Sequence, residues 1–168
     1  MRIRIGSRLL DFARRARADE SGVAAIEAAA VMPFMVVMAA GVIEYGSMMY
    51  QFDLVQTGVR DAARFLARVP APEAAEAEAR RIATTGSLDP SQPLRVKGWT
   101  GDKIAFAYET TANPRDPVTG QRQYRGGDTI TVIRVSTAFS YQGIGLLQAL
   151  GFTSVPIAAA HEERHVGQ

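Results

Sequence analysis

The chain has 168 residues, 19 basic and 17 acidic side chains, a formal net charge of +2, and no cysteine. The missing cysteine excludes disulfides and cysteine-ligated metal sites. The length suits one small domain with appendages. The almost balanced charge of residues 45–168 argues against nucleic-acid binding, which needs a concentrated basic face.

Residues 1–22 form a basic leader in which six arginines stand against three acidic residues. Because Lys and Arg concentrate on the cytoplasmic side of membrane helices, the leader is predicted to stay in the cytoplasm and the C-terminal part to be exported. The apolar run that follows is longer than the core of a secretory signal, and no small-residue cleavage site comes after it. An ordinary cleaved signal peptide is therefore not favoured.

An apolar run over residues 23–44 predicts a single transmembrane helix. Its 22 residues span about 33 Å at ~1.5 Å per residue, close to the ~30 Å hydrocarbon core of a bilayer. Glu27 is the only charged side chain from residue 23 to residue 43. Pro33 removes one helical hydrogen bond and is expected to kink the span. Glu44 and Tyr45 follow at the outer interface, where Tyr is frequent; a contact to a partner subunit and no special role both remain open for them.

Residues 45–69 predict an amphipathic helix that continues the span. Apolar residues recur at three- and four-residue steps, which is one helical face: Tyr45, Met49, Phe52, Val55, Val59, Ala63, Leu66 and Val69. Gly58 weakens the middle of this helix, and the Pro70-Ala71-Pro72 sequence ends it.

Residues 70–168 predict an exported α+β domain. Residues 73–85 form a short helix with acidic residues first and basic residues last, the order that the helix dipole favours, and Gly86 is placed to cap it. Strand-like runs follow at residues 94–97, 103–110 and 129–139, with a final strand at residues 153–165. The fold class is therefore a long N-terminal helix packed on a small antiparallel sheet of three to four strands.

Residues 19–68 carry a combination of motifs that resembles the TadE-like family of the tight-adherence (Flp) type IV pilus system. A basic leader precedes a Gly-x-x-x-x-Glu motif, Gly22 to Glu27, and Pro33 lies within the apolar run. A Gly-x-x-Glu-aromatic-Gly element, residues 41–46, and two Ala-Arg pairs, residues 63–64 and 67–68, complete the pattern. The resemblance implies a pseudopilin or minor pilin component in the inner membrane, with a periplasmic C-terminal domain.

The resemblance also implies processing and partners. A prepilin peptidase of this system would cut between Gly22 and Val23, which makes Glu27 the fifth residue of the mature chain. The implied partners are other minor pilins or pseudopilins, the major Flp pilin, the inner-membrane assembly platform and the prepilin peptidase. Subunit packing and register would depend on Glu27, Pro33, Glu44 and Tyr45. Ala28 stands where pilins of this system usually carry an aromatic residue.

Residues 161–165 read HEERH, which fits the zinc-metalloprotease pattern H-E-x-x-H. A catalytic zinc usually takes three protein ligands and a water, but His161 and His165 are the only two histidines and only three residues follow. We therefore expect no enzyme, no metal and no cofactor, and treat His161, Glu162 and His165 as a polar strand end. The alternatives to a pseudopilin are an uncleaved single-pass envelope binding protein and a zinc-dependent hydrolase that uses HEERH.

Overall fold

The computed structural model describes residues 20–143, 145–152 and 154–167. Helix α1 runs from Glu20 to Leu66, and α2 from Glu76 to Thr85 after a 3-10 turn at Glu73–Ala75. A second 3-10 turn, Gly101–Lys103, leads into strand β1, Ile104–Ala112. Strand β2 is Thr129–Ser140, α3 is the short helix Leu146–Ala149, and β3 is Pro156–Arg164. Most of the predicted leader, residues 1–19, lies outside the described residues.

Helix α1 is 47 residues long and continues through Pro33. The chain divides into two compact units, 1–43 and 44–168, and the division falls within this helix. The helix ends shortly before the Pro70–Pro72 breaker. Its last α-helical bond joins Ala67 N to Ala63 O at 2.9 Å, and the next bond, Arg68 N to Phe65 O at 3.1 Å, spans three residues as in a 3-10 helix. Such 3-10 tightening satisfies carbonyls that have no partner at a helix end.

Helix α2 ends as its sequence predicts. Gly86 adopts φ 81°, in the left-handed region, and its N–H donates to the carbonyl of Ile82 at 2.9 Å. The other prediction for this part of the chain is wrong: residues 94–97 form no strand. Their backbone bends into a turn in which Trp99 N bonds to Val96 O at 3.2 Å, with Gly98 at φ 80°. Val96 of this run is buried from an irregular loop, whereas Leu94 is exposed.

The three strands form one antiparallel sheet in the order β1-β2-β3. Strand β2 is central: its Val135 pairs with Phe106 on β1 and with His161 on β3. Alternate residues of β2 face inward, so Ile133, Val135 and Thr137 are buried while Arg134 is exposed. The predicted fold class, a long helix with a small antiparallel sheet, is confirmed.

The core of the second unit joins the C-terminal part of α1 to this sheet. Its fully buried members include Trp99, whose indole N–H donates to Thr137 Oγ1 at 2.9 Å. The ring of Trp99 stacks on that of Phe139, with the two ring centroids 6.1 Å apart. The remaining buried apolar residues of this core come from α1, α2, the strands and two loops: Val55, Val59, Ala62, Ala63, Leu66, Ala79, Ala83, Val96, Ile104, Ile133, Val135, Tyr141 and Ile157.

The predicted amphipathic stripe of α1 is confirmed in its C-terminal part and wrong at its start. Val55, Val59, Ala63 and Leu66 are buried as predicted, whereas Tyr45 is 61% exposed. A polar residue, Glu44, is buried beside it instead.

Candidate functional site

The first candidate surface is the apolar segment of α1, residues 22–43. Its large side chains are exposed in the single chain, with Phe34 and Met38 each 73% exposed. This helix is long and apolar enough to cross a membrane. Such a surface is not stable in water unless lipid or other helices cover it.

Glu27 lies in this apolar segment and is exposed on α1. It follows Gly22 by five residues, and a Cβ at Gly22 would meet no atom within 4 Å. A carboxylate in a membrane helix is costly, with an insertion cost of ~2.5–3.5 kcal/mol at mid-membrane and less near the edge. The predicted roles of Gly22, Val23, Glu27 and Pro33 in processing and packing stay predictions.

The second candidate site is where the second unit begins, at Glu44. This side chain is only 2% exposed. The hydroxyl of Tyr141 donates to the Glu44 backbone carbonyl at 3.1 Å. Gly143 packs so closely on the Glu44 carboxyl that an added Cβ would collide with Glu44 Oε1 and lie 2.6 Å from the Tyr141 hydroxyl.

The segment that covers Glu44 is the junction loop, a name that we give to the described residues of the stretch 141–155, which are 141–143, 145–152 and 154–155. Leu147 and Phe152 of this loop border the same space as Glu44 and Gly143. That space has a volume of about 20 Å³, which is room for about one water and not for an organic ligand. The Glu44 side chain is therefore held by its own chain. The partner-subunit contact predicted for Glu44 and Tyr45 stays a prediction, and Tyr45 is the exposed member of the pair.

Sequence reasoning missed the contact between Glu44 and the junction loop. The residues that touch are about a hundred positions apart, so no local pattern reports them. One signal was present: two glycines, Gly143 and Gly145, flank one position in an otherwise apolar stretch, which suggests close backbone approach.

The HEERH residues lie on and just after strand β3, not on a helix. The ring of His161 is 3.1 Å from Glu163 Oε1, and His165 Nε2 lies 2.9 Å from the carbonyl oxygen of Val69. Glu162 forms an ion pair with Arg134 on the opposite face at 3.0 Å. The helical arrangement that a zinc site of this pattern requires is absent. Among the residues that the structure describes, no three His, Cys, Asp or Glu side chains could hold a metal ion together.

The far end of the sheet carries a charged loop, residues 113–128. Arg122 pairs with Asp128, and Arg115 donates to the Gly120 carbonyl at 3.1 Å. Asp116 accepts bonds from the backbone N–H groups of Thr119 and Val118, and these bonds hold the pKa of its carboxyl below the ordinary value. The two ends of the sheet therefore differ in chemistry, with charges here and none in the junction loop.

These features define an α+β protein with an apolar N-terminal helix that is a candidate membrane anchor. The family model described as TadE-like protein matches residues 22–64. Over this segment the chain is similar to the TadE-like family, as its motifs predict, and the likeness is consistent with a protein of the Tad pilus system. No curated protein matches the chain significantly, and no solved structure does so either.

Proposed function

We propose that this chain is a pseudopilin or minor component of Flp (tight adherence) pilus assembly. The single observation that carries the proposal is the TadE-like match over residues 22–64. That segment joins the apolar half of α1 to the half that packs on the sheet. Its function would lie in helix packing within the inner membrane and in contacts made by the exported domain.

The exposed apolar half of α1 supports this proposal. Its side chains have the chemistry for lipid and for neighbouring helices, because methionines adapt to irregular partners and small residues allow close helix approach. Met32, Met35 and Met38 and the small-residue patches at 28–30 and 39–41 supply both kinds of surface. Other pilus components are therefore the partners that we propose for it.

Glu27 supplies the second argument. A carboxylate near the start of a membrane helix is stabilised by a positive partner. Peptidase cleavage between Gly22 and Val23 would create an α-amino group, and this group on a neighbouring subunit is the partner that we propose for Glu27. The pair would fix the axial register of packed helices, with the N-terminal side facing the cytoplasm and the second unit in the periplasm.

Replacement of Gly22 with Ala tests the proposal in a strain that lacks the chromosomal copy of the gene. We expect Gly22→Ala to keep residues 1–22 on the chain, seen as a higher intact mass, and to abolish piliation. Gly41→Ala is the matched control, since neither glycine has an atom within 4 Å of an added Cβ. The control should lose the leader normally.

Normal piliation by uncleaved Gly22→Ala would contradict the processing step. The uncleaved single-pass anchor with an envelope-binding domain would then become the better account. A third account, a zinc-dependent hydrolase, is tested separately by the histidine variants described in the Discussion.

A further inference from the structure

The junction loop differs from every other connection in the second unit by its lack of charge. No Asp, Glu, Lys, Arg or His occurs from residue 140 to residue 160. Two of the loop's large apolar side chains nevertheless face outward, Leu150 at 59% exposure and Phe152 at 57%. An exposed Leu and Phe on an uncharged loop form a surface suited to an apolar environment.

The loop is fixed at the residue where the second unit begins. Tyr141 donates to the backbone carbonyl of Glu44 at 3.1 Å, and Gly143 lies against the Glu44 carboxyl. Phe152 lines the small space beside that carboxyl. Ile43, the last residue of the apolar segment, directly precedes Glu44 in the chain, so the Cα atoms of these two residues are about 3.8 Å apart. The loop therefore lies against the residue that directly follows the apolar segment in the chain.

The opposite end of the sheet provides the contrast. Strand β2 separates the two ends with 12 residues, or roughly 40 Å at ~3.3 Å per residue. The loop at that far end, residues 113–128, carries Arg115, Asp116, Arg122, Arg125 and Asp128. One end of the second unit is thus charged and the other, at Glu44, presents Leu150, Phe152 and the exposed Tyr45.

We propose that the junction loop is a second membrane contact, in which Leu150 and Phe152 insert into the lipid headgroup and acyl-chain boundary. This inference rests on the membrane anchor in the proposed function. Apolar side chains bury readily at that depth, and Tyr45 is an aromatic of the kind that prefers the interface. The second unit thereby gains a lipid contact of its own. Burial of Glu44 under the loop keeps its carboxyl away from lipid.

Single-cysteine variants test this contact cleanly, because the natural chain has no cysteine. The full-length chain, reconstituted in phosphatidylethanolamine–phosphatidylglycerol vesicles, is labelled with an environment-sensitive fluorophore at Leu150→Cys or Phe152→Cys. Leu88→Cys is the matched control, an exposed leucine (52%) of the same unit outside the loop. Val118→Cys reports the charged end, and Val36→Cys reports the span.

We expect a lipid-attached nitroxide to quench the labels at residues 150 and 152 at least about threefold more than those at residues 88 and 118. Aqueous iodide should give the reverse order. Equal quenching at residues 150, 152 and 88, with strong lipid quenching at residue 36, would overturn the loop contact and leave the anchor intact. If iodide quenches the label at residue 36 and the lipid-attached nitroxide does not, this result would overturn the membrane anchor. The loop proposal would then fail with it.

Discussion

The two halves of α1 have the same secondary structure and opposite surroundings. From residue 22 to residue 39 every residue is exposed in the single chain, whereas Val55, Val59 and Leu66 are each at most 1% exposed. The difference comes from side-chain pattern: the first half is apolar on all sides, and the second has one apolar face. A helix apolar on all sides needs lipid or other subunits, while an amphipathic one is satisfied by its own domain.

The largest expected effect comes from placing a charge in the domain-facing half. Val59→Asp puts a carboxylate in a position that is 1% exposed, and an unpaired buried charge costs more than about 4 kcal/mol of folding free energy. We expect the second unit to unfold while the chain stays membrane-bound. Limited proteolysis and the fluorescence of Trp99, the single tryptophan, report the fold. Arg60→Asp, next along the helix and exposed, should leave it folded.

The same substitution in the exposed apolar half of α1 should have the opposite outcome. Val36→Asp replaces a side chain that is 61% exposed and adds ~2.5–3.5 kcal/mol to the cost of membrane insertion. We expect less protein in the carbonate-resistant membrane fraction, with normal protease resistance of the second unit in the molecules that are exported. Full membrane retention of Val36→Asp, with an unfolded second unit, would contradict the division of α1 into two halves.

Two glycines of α1 sharpen the comparison within the second unit. A Cβ on Gly58 would collide with the Ala83 carbonyl oxygen and lie 2.6 Å from Cη2 of Trp99, whereas a Cβ on Gly46 would meet nothing within 4 Å. We expect Gly58→Ala to lower the free energy of unfolding by about 1–3 kcal/mol, as overpacking does. Gly46→Ala should be neutral or stabilise by up to about 1 kcal/mol. Urea denaturation followed by Trp99 fluorescence measures both, and equal effects would contradict the close contact of α1 with Trp99.

Alkaline pH tests the packing of α2 on the sheet. Burial raises the pKa of Tyr108 above its ordinary value, and its hydrogen bond to Glu76 at 3.0 Å raises it further. The charge of Glu73 adds to this effect and Arg80 opposes it. Because the folded state holds this proton more tightly, its stabilising contribution is complete below pH ~10 and is lost as the pH rises toward the folded pKa. The free energy of unfolding should fall as the pH rises above about 10, and less steeply in Tyr108→Phe. Identical slopes would contradict the Tyr108–Glu76 contact.

The smallest effect is expected from the HEERH residues. His161 and Glu163 form a half-exposed pair, and exposed ion pairs contribute about 0–1 kcal/mol. His161→Ala combined with His165→Ala should lower stability by no more than about 1–2 kcal/mol, including the loss of the His165 contact to Val69. Piliation should persist. Its loss in a double variant that is folded and exported would favour the zinc-dependent hydrolase.

Local pattern was sufficient for much of the fold. The C-terminal end of α2, the positions of β1 and β2, and the buried face around Val59 follow from periodicity and from Pro and Gly signals. The prediction of a strand at residues 94–97 was wrong because the turn at Gly98 determines their backbone conformation. Val96 is buried without any strand pairing. A short apolar run does not distinguish a strand from a buried loop.

The surroundings of Glu44 could not be predicted, because they depend on contacts between distant parts of the chain. In the sequence, Glu44 follows an apolar run and precedes Tyr45, an arrangement that is typical of a membrane interface. Nothing local indicates that Glu44 is buried. Tyr141 reaches it across 97 residues. The contact between Gly58 and Trp99 could not be predicted for the same reason. The sequence predicts only that Gly58 weakens the helix, and its contact with Trp99 depends on the fold.

The most direct test of the account is the N-terminal sequence and intact mass of the protein recovered from membranes, with and without the prepilin peptidase. We predict a mature chain that begins at Val23 only when the peptidase is present, with Glu27 as its fifth residue. A chain that keeps residues 1–22 in both strains would contradict the pseudopilin assignment. Residues 22–43 would then be an uncleaved anchor, and Glu27 would need another partner.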